Sequence, residues 1–300
     1  MIVEKEKQLQ EIQKCLNMGD SLWIPMYSDP FAHYMNNSIS FIYIYCMSIN
    51  DYFIIPFRHK DCYNLDIELL NGLTSPNDIY VLAKKRFMNF SSLKCYDADV
   101  MYWWQNHKML PLDETNTTAH DAWNRWWHNE TNTHDWLPMT KHIERCESMK
   151  DTFIKSYNQF DKTKEFEAYE SLITDNFAAI ERNGLQVNYD KFIEHFKSNG
   201  LKRNRAYSEY NIWTTTGRPS NKFGGVNFAA LNKEDKCRES FVSGHERGML
   251  LEMDFDAYHP RIIADIIGYD LPEGSIHEYF AKQYFGKDEI SDQEYEDSKK

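Results

Sequence analysis

Three hundred residues, 42% hydrophobic and 15% aromatic, hold enough apolar material for one large domain or two and exclude a disordered chain. The formal net charge of −12 argues against a uniformly basic nucleic-acid coat, and no apolar run reaches the ~20 residues a membrane-spanning helix needs. The charged start at Met1–Lys7 is no signal peptide, and Cys15, Cys46, Cys62, Cys95, Cys146 and Cys237 match no zinc or Cys-x-x-Cys spacing, so reduced, mostly buried thiols of a cytoplasmic protein are expected.

Residues 1–18 have amphipathic helical spacing. Strands are expected over 21–25, 39–47 and 52–56, with Asn50-Asp51 turning the hairpin between the last two. Helical patterns follow near 64–72 and 77–89, then a strand over Ser92–Asp97. Together these predict a mixed sheet flanked by helices, an α/β or α+β layer. The segment Tyr102–Trp136 holds six of the eight tryptophans, Trp103, Trp104, Trp123, Trp126, Trp127 and Trp136. Aromatics of this kind can stack single-stranded bases, but a tryptophan cluster is more often core or domain packing. His120, His128 and His134 match no zinc pattern and read as surface or loop histidines.

From Ser148 to Asn199 the pattern gives two long helices broken at Gly184, a residue suited to a left-handed helix end. From Lys191 to Ser240 ten Lys/Arg stand against five Asp/Glu, a local +5 that leaves −17 for the remainder. Such asymmetry suits a phosphate-tracking groove and equally an ordinary solvated face. Inside this stretch lie Thr214-Thr215-Thr216-Gly217-Arg218-Pro219-Ser220, then Gly224-Gly225, Val226-Asn227-Phe228 and Arg238-Glu239-Ser240-Phe241. The glycines allow close backbone approach, while the threonines, Arg218 and Asn227 can donate to phosphate or a groove edge.

Leu250 to Asp265 reads as a buried strand, a tight turn and a helix. Strand alternation sets Asp254 and Asp256 on one face and Leu251 and Met253 on the other. Pro260 suits a first helical turn, Ile262, Ile263, Ile266 and Ile267 recur at helical spacing, and Gly268 ends the helix. A carboxylate at a strand end is a post for a divalent metal; taken alone it is also an ordinary N-cap.

In order, these pieces resemble the family A DNA polymerases, the bacterial DNA polymerase I type. Glu181-Arg-Asn-Gly184-Leu-Gln-Val187 looks like the family's Met-Glu-x-x-Gly-x-x-Val signature. Thr214–Ser220 with Val226-Asn227-Phe228 is similar to its Thr-x-Thr-Gly-Arg-Leu-Ser…Asn loop, and Arg238…Phe241 to the following Arg-x-x-Phe. Asp254-Phe255 with Arg261 falls on motif A, and Ser275-Ile276-His277, Ala281 and Phe285-Gly286 on the segment after it.

The resemblance implies nucleotidyl transfer from dNTPs to a primer 3′-hydroxyl with two Mg²⁺ ions. It makes Asp254 the catalytic metal-binding carboxylate, gives the Phe255 carbonyl to the second ion and leaves Asp256, in place of the usual Ser, as a further metal or nucleotide contact. Phe255, Tyr258 and His259 would face the nucleotide, His259 standing where the family carries Glu. Thr216, Gly217, Arg218, Ser220, Asn227 and Arg238 would hold primer–template DNA. Asp254-Phe255…His259-Pro260…Ile262 also resembles motif A of family B polymerases, with the Thr-Gly-Arg loop favouring family A. The family's fingers helix and later His-Asp pair are not found after motif A; His120-Asp121 and His134-Asp135 lie before it. The chain is therefore expected to be the front part of a longer polymerase or one piece of a split one, a second polypeptide then carrying fingers and remaining palm. Residues 1–147 are expected to form an inactive exonuclease-like domain, whose first strand lacks an Asp-x-Glu pair, with Asp97 or Asp99 as a motif remnant. Residues 148–209 would form thumb-like helices and 210–300 the first part of a palm. A non-catalytic nucleic-acid-binding scaffold is the rival reading.

Overall fold

A computed structural model describes residues 1–29, 37–108, 110, 133–197, 201–214, 218–222, 226–232, 235–251, 253, 255 and 257–298. The chain is α+β, and it divides into two compact units, Met1–Gly244 and His245–Lys300.

The first unit is built on five strands, β1 (Ser21–Tyr27), β2 (Ile39–Cys46), β3 (Asp51–Pro56), β4 (Ile79–Val81) and β5 (Tyr96–Asp97), in the order β3-β2-β1-β4-β5. The first three form an antiparallel meander, turned at Asn50 with φ 52°, while β4 and β5 run parallel to β1. Both β1 and β2 are buried along their whole length, which explains their unbroken apolar runs: both faces of the sheet are covered. Leu22, Ile24 and Met26 enter one core, Trp23 and Tyr27 the other. Pro25 survives mid-sheet because β4 pairs only with Ser21–Trp23. The Leu82 N–H closes that ladder on the Trp23 carbonyl at 3.0 Å, so Pro25 faces a side where no N–H is needed.

One face carries α1 (Leu9–Met18), a 3₁₀ turn (Ile67–Gly72) and α2 (Lys84–Phe87), packing Ile12, Leu16, Leu70 and Phe87 against Trp23 and Ile42. The other carries α3 (Ala98–Asn106), α5 (Met139–Tyr157) and α6 (Lys164–Glu170), whose Met101, Phe153 and Phe166 meet Tyr43 and Tyr80; the short α4 (Thr133–Trp136) precedes α5.

Several local expectations change. The first helix starts only at Leu9, because Met1–Val3 run beside β3: the Val3 N–H donates to Ile54 O at 2.8 Å and the Ile54 N–H to Met1 O at 2.9 Å. The helix expected over 77–89 opens as β4, where Ile-Tyr-Val enters the sheet, and shrinks to Lys84–Phe87. The 64–72 helix is a 3₁₀ turn, and the strand over 92–97 keeps only Tyr96–Asp97. Of the tryptophans, Trp103 stacks on Tyr169 with centroids 5.7 Å apart and Trp104 lies 5.2 Å from the same ring, so both pack the sheet domain against α6. Trp123, Trp126, Trp127, His120 and His128 lie outside the described residues.

The two helices expected over 148–199 are four. The first, α5, begins at Met139 and ends at Tyr157. After it α6, a π-helical turn (Ser171–Asp175) and α7 (Asn176–Asn183) run on continuously to Gly184, and α8 (Tyr189–Phe196) follows. The 147/148 boundary falls inside α5, whose Met149 and Phe153 belong to the sheet's own core. Beyond Gly184 a three-stranded antiparallel sheet, β6 (Leu185–Gln186), β7 (Leu201–Lys202) and β8 (Arg205–Ala206) in the order β6-β8-β7, and the pair β9 (Glu209–Asn211) and β10 (Ser220–Lys222) complete this unit.

The second unit holds α9 (Tyr258–Ile267), α10 (Ile276–Phe285) and α11 (Asp292–Asp297). Gly268 and Gly286 end α9 and α10 at φ 67° and 63°, and Ser275 caps α10 by accepting from the Glu278 N–H at 3.3 Å. The strand expected over 250–256 does not form among the described residues: Leu250, Leu251, Met253 and Phe255 are 53–84% exposed, with no neighbouring strand to take their backbone groups.

Candidate functional site

Gly184 stops α7 with φ 55° and ψ −175°, a conformation essentially confined to glycine. A Cβ there would stand 2.7 Å from the Ala206 carbonyl oxygen and 2.8 Å from Tyr207 Cδ1. The tight stop throws the chain straight into β6, so that Val187 forms an antiparallel bridge with Phe241. Val187, Phe192, Ala206 and Val226 are the buried centre of a small second core, with Phe228 and Phe241 packed on it and on each other at 5.4 Å. Three stretches distant in sequence (around Gly184, Val226 and Phe241) thus meet in one cluster.

Around this core Arg218, Ser220 and Asn227 are exposed. Thr214 Oγ1 donates to the Arg218 carbonyl at 2.6 Å, and Ser220 opens β10 opposite Asn211. The short 3₁₀ turn entered by Asn227 (Phe228–Ala230) packs beside β10. Arg238 is placed differently from a free surface cation: it is half-buried and its Nη2 donates to the Leu231 carbonyl at 3.4 Å, so it braces the loop that carries Asn227. Thr216 and Gly217 lie outside the described residues, as do Asp254 and Asp256. In the second unit Phe255, Tyr258 and His259 form an exposed aromatic run, with centroids 5.4 Å apart and then 5.6 Å. Among the described residues no group of three or more His, Cys, Asp or Glu side chains could hold a metal ion.

A second cluster, illegible in the sequence, occupies the carboxyl ends of β1, β4 and β5, the edge where ligands of parallel sheets are commonly bound. Three consecutive cations of α2 each meet a glutamate from a different later element. Lys84 Nζ lies 2.8 Å from Glu170 and 2.8 Å from Asp175, Lys85 pairs with Glu181, and Arg86 Nε lies 3.0 Å from Glu209. Burial works against the Lys84 ammonium, but its two carboxylates hold its pKa above the usual lysine value. Beside them a cavity of about 100 Å³ is lined in part by Asp97, Asp99, Glu209 and Trp213. Asp97 caps α3, accepting from the Asp99 N–H at 2.9 Å and, through its other oxygen, from Thr174 Oγ1 at 3.3 Å. Burial, then the Asp99 charge, lift the Asp97 carboxyl well above the carboxylate range, and burial lifts Asp99 to about 6. The sequence signal was the Lys84-Lys85-Arg86 run, which reads as a solvated helix face until the glutamates close over it.

His134 corrects its surface assignment. It is buried with His59 and His142, ring centroids 5.3 Å (His134–His142) and 5.8 Å (His59–His142) apart, beside Phe41. His134 Nδ1 donates to the Tyr27 carbonyl at 2.8 Å, His142 Nε2 to the His134 carbonyl at 3.1 Å and His59 Nε2 to the Leu137 carbonyl at 2.9 Å. The short helix α4 carrying His134-Asp135 is thereby pinned over β1, with Ser28 Oγ donating to Asp135 at 2.8 Å.

No family model matches the sequence, and no curated protein matches it.

Proposed function

We propose that this chain is part of a template-directed DNA polymerase of the family A type, extending a primer 3′-hydroxyl with dNTPs. One observation carries the reading. The Glu181…Val187, Val226–Phe228 and Arg238…Phe241 stretches, each resembling a signature of the family, share a single small core, as signatures of one functional unit should. The segment that follows motif A orders its own helix, Ser275 capping α10, Ala281 being fully buried and Gly286 ending the helix. In this reading Thr216, Gly217, Arg218, Ser220 and Asn227 face primer–template DNA, with Arg238 as a positioning residue behind them. Phe255, Tyr258 and His259 face the incoming nucleotide. Asp254, the Phe255 carbonyl and Asp256 are the residues that would hold two Mg²⁺ ions, which when bound supply charge stabilisation at the reacting phosphorus. Fingers and remaining palm would come from further polypeptide, in this chain or a second one. The sheet domain serves as an exonuclease-like scaffold; its strand ends are filled by cation–glutamate pairs, and β1 has no acidic residue.

Primer extension with dNTPs and Mg²⁺, together with duplex binding, tests this reading on the polymerase assembled with its complementing polypeptide. Asp254→Asn should reduce extension by orders of magnitude and leave primer–template affinity within a few fold. Extension that survives Asp254→Asn would rule out the assigned chemistry. Duplex binding by an assembly that never extends a primer would favour the scaffold.

A further inference from the structure

The β7–β8 hairpin turns on two residues, Arg203 and Asn204, both at positive φ (51° and 59°). Primed two-residue turns of this kind favour Asn or Gly at both positions, because a Cβ in left-handed backbone is strained. Asn204 fits; Arg203 is the costly choice, and the cost keeps a cation at the apex. Lys202 stands beside it, both are exposed, and among the described residues neither makes an ion pair. The mount is rigid. The Asn204 carbonyl accepts from the Val187 N–H at 2.9 Å, β8 pairs with β6, and Arg205 Nε donates to the Asn183 carbonyl at 2.8 Å at the end of α7. The basic residues of the hairpin thus have different roles. Arg205 holds the hairpin to the helix, and Lys202 and Arg203 are left outward.

We propose that this hairpin tip is a phosphate-binding contact for the backbone of duplex nucleic acid, separate from the Thr-Gly-Arg loop. A short, pre-ordered tip with two exposed cations loses little conformational entropy on meeting a phosphate track. The contact does not rest on the polymerase reading, because it concerns binding and not extension.

Arg203→Gly separates charge from structure, because glycine relieves the strained φ and the turn keeps its shape. Fluorescence anisotropy with a labelled DNA duplex, titrated at several salt concentrations, should show Arg203→Gly binding more weakly and the slope of log K against log salt shallower by about 0.9; Lys202→Ala with Arg203→Gly should lose about 1.8. The thermal midpoint of Arg203→Gly should match or exceed that of the parent. An unchanged slope in a folded double variant overturns the proposal, as does tip-dependent binding to vesicles of anionic phospholipid with none to duplex.

Discussion

Lys85 on α2 donates at once to the Glu181 carboxylate on α7 and, at 2.6 Å, to the Tyr210 carbonyl on β9. One ammonium therefore ties the sheet to the helical arm and to the strand that leads into the Thr-Gly-Arg loop. Glu181 reinforces the joint by accepting from the Tyr210 N–H at 2.6 Å. Replacing Lys85 by Met strands a buried carboxylate, so urea denaturation should show a loss of about 3–5 kcal/mol. Lys85→Met combined with Glu181→Leu should recover much of that loss, since an apolar pair leaves no charge behind.

Gly184→Ala meets both a forbidden backbone conformation and a carbonyl oxygen 2.7 Å from the new Cβ. A destabilisation of at least about 1–3 kcal/mol is expected. Gly72→Ala is the control, because a Cβ there meets nothing within 4 Å. Equal midpoints for the two variants would show that the α7 stop is not strained by a side chain.

Burial lowers His134 from the ordinary 6.5 to about 4 and His142 to about 3. The unfolded chain therefore takes up these protons first as pH falls. Stability is full above about pH 6.5 and declines through the window down to pH 4 and then 3, by about 1.4 kcal/mol per pH unit for each histidine. His142→Gln, which keeps a donor toward the His134 carbonyl, should flatten the acid limb of a stability–pH curve. An acid limb of unchanged slope would place the titration elsewhere.

Asp99 acts with the opposite sign. Its folded carboxyl titrates near 6 against an ordinary 3.8, so its stabilising contribution is present below 3.8 and is lost as pH rises through 6. Asp99→Asn keeps an acceptor for the Ala83 N–H, now at 2.9 Å, and removes the charge. The variant should gain denaturation midpoint at pH 8 relative to the parent and gain little at pH 4.

On α9, Ile266 and Ile267 are 76% and 69% exposed. Ile266→Glu should change the unfolding free energy by no more than about 0.5 kcal/mol while reducing concentration-dependent light scattering. The same change at Ile42, wholly buried in β2, should prevent folding.

Local pattern alone determined much of this protein. The β2–β3 hairpin, the α9 helix from its proline to Gly268, and the glycine stop after Asn183 are written in spacing and turn chemistry, and the α+β class follows from them. Neighbour-dependent features were not legible. Met1–Val3 became an edge segment because β3 offered unpaired backbone, and Ile79–Val81 became a strand because β1 did. Residues 250–255 carry a strand pattern yet form no ladder among the described residues, since a ladder needs a partner that local pattern cannot name. The Lys84, Lys85 and Arg86 pairs and the buried histidines belong to tertiary structure alone. The partners of Lys84, Lys85, Arg86, His59 and His134 lie 78 to 125 residues away, and charge or imidazole enters a core only when the fold supplies its counterpart.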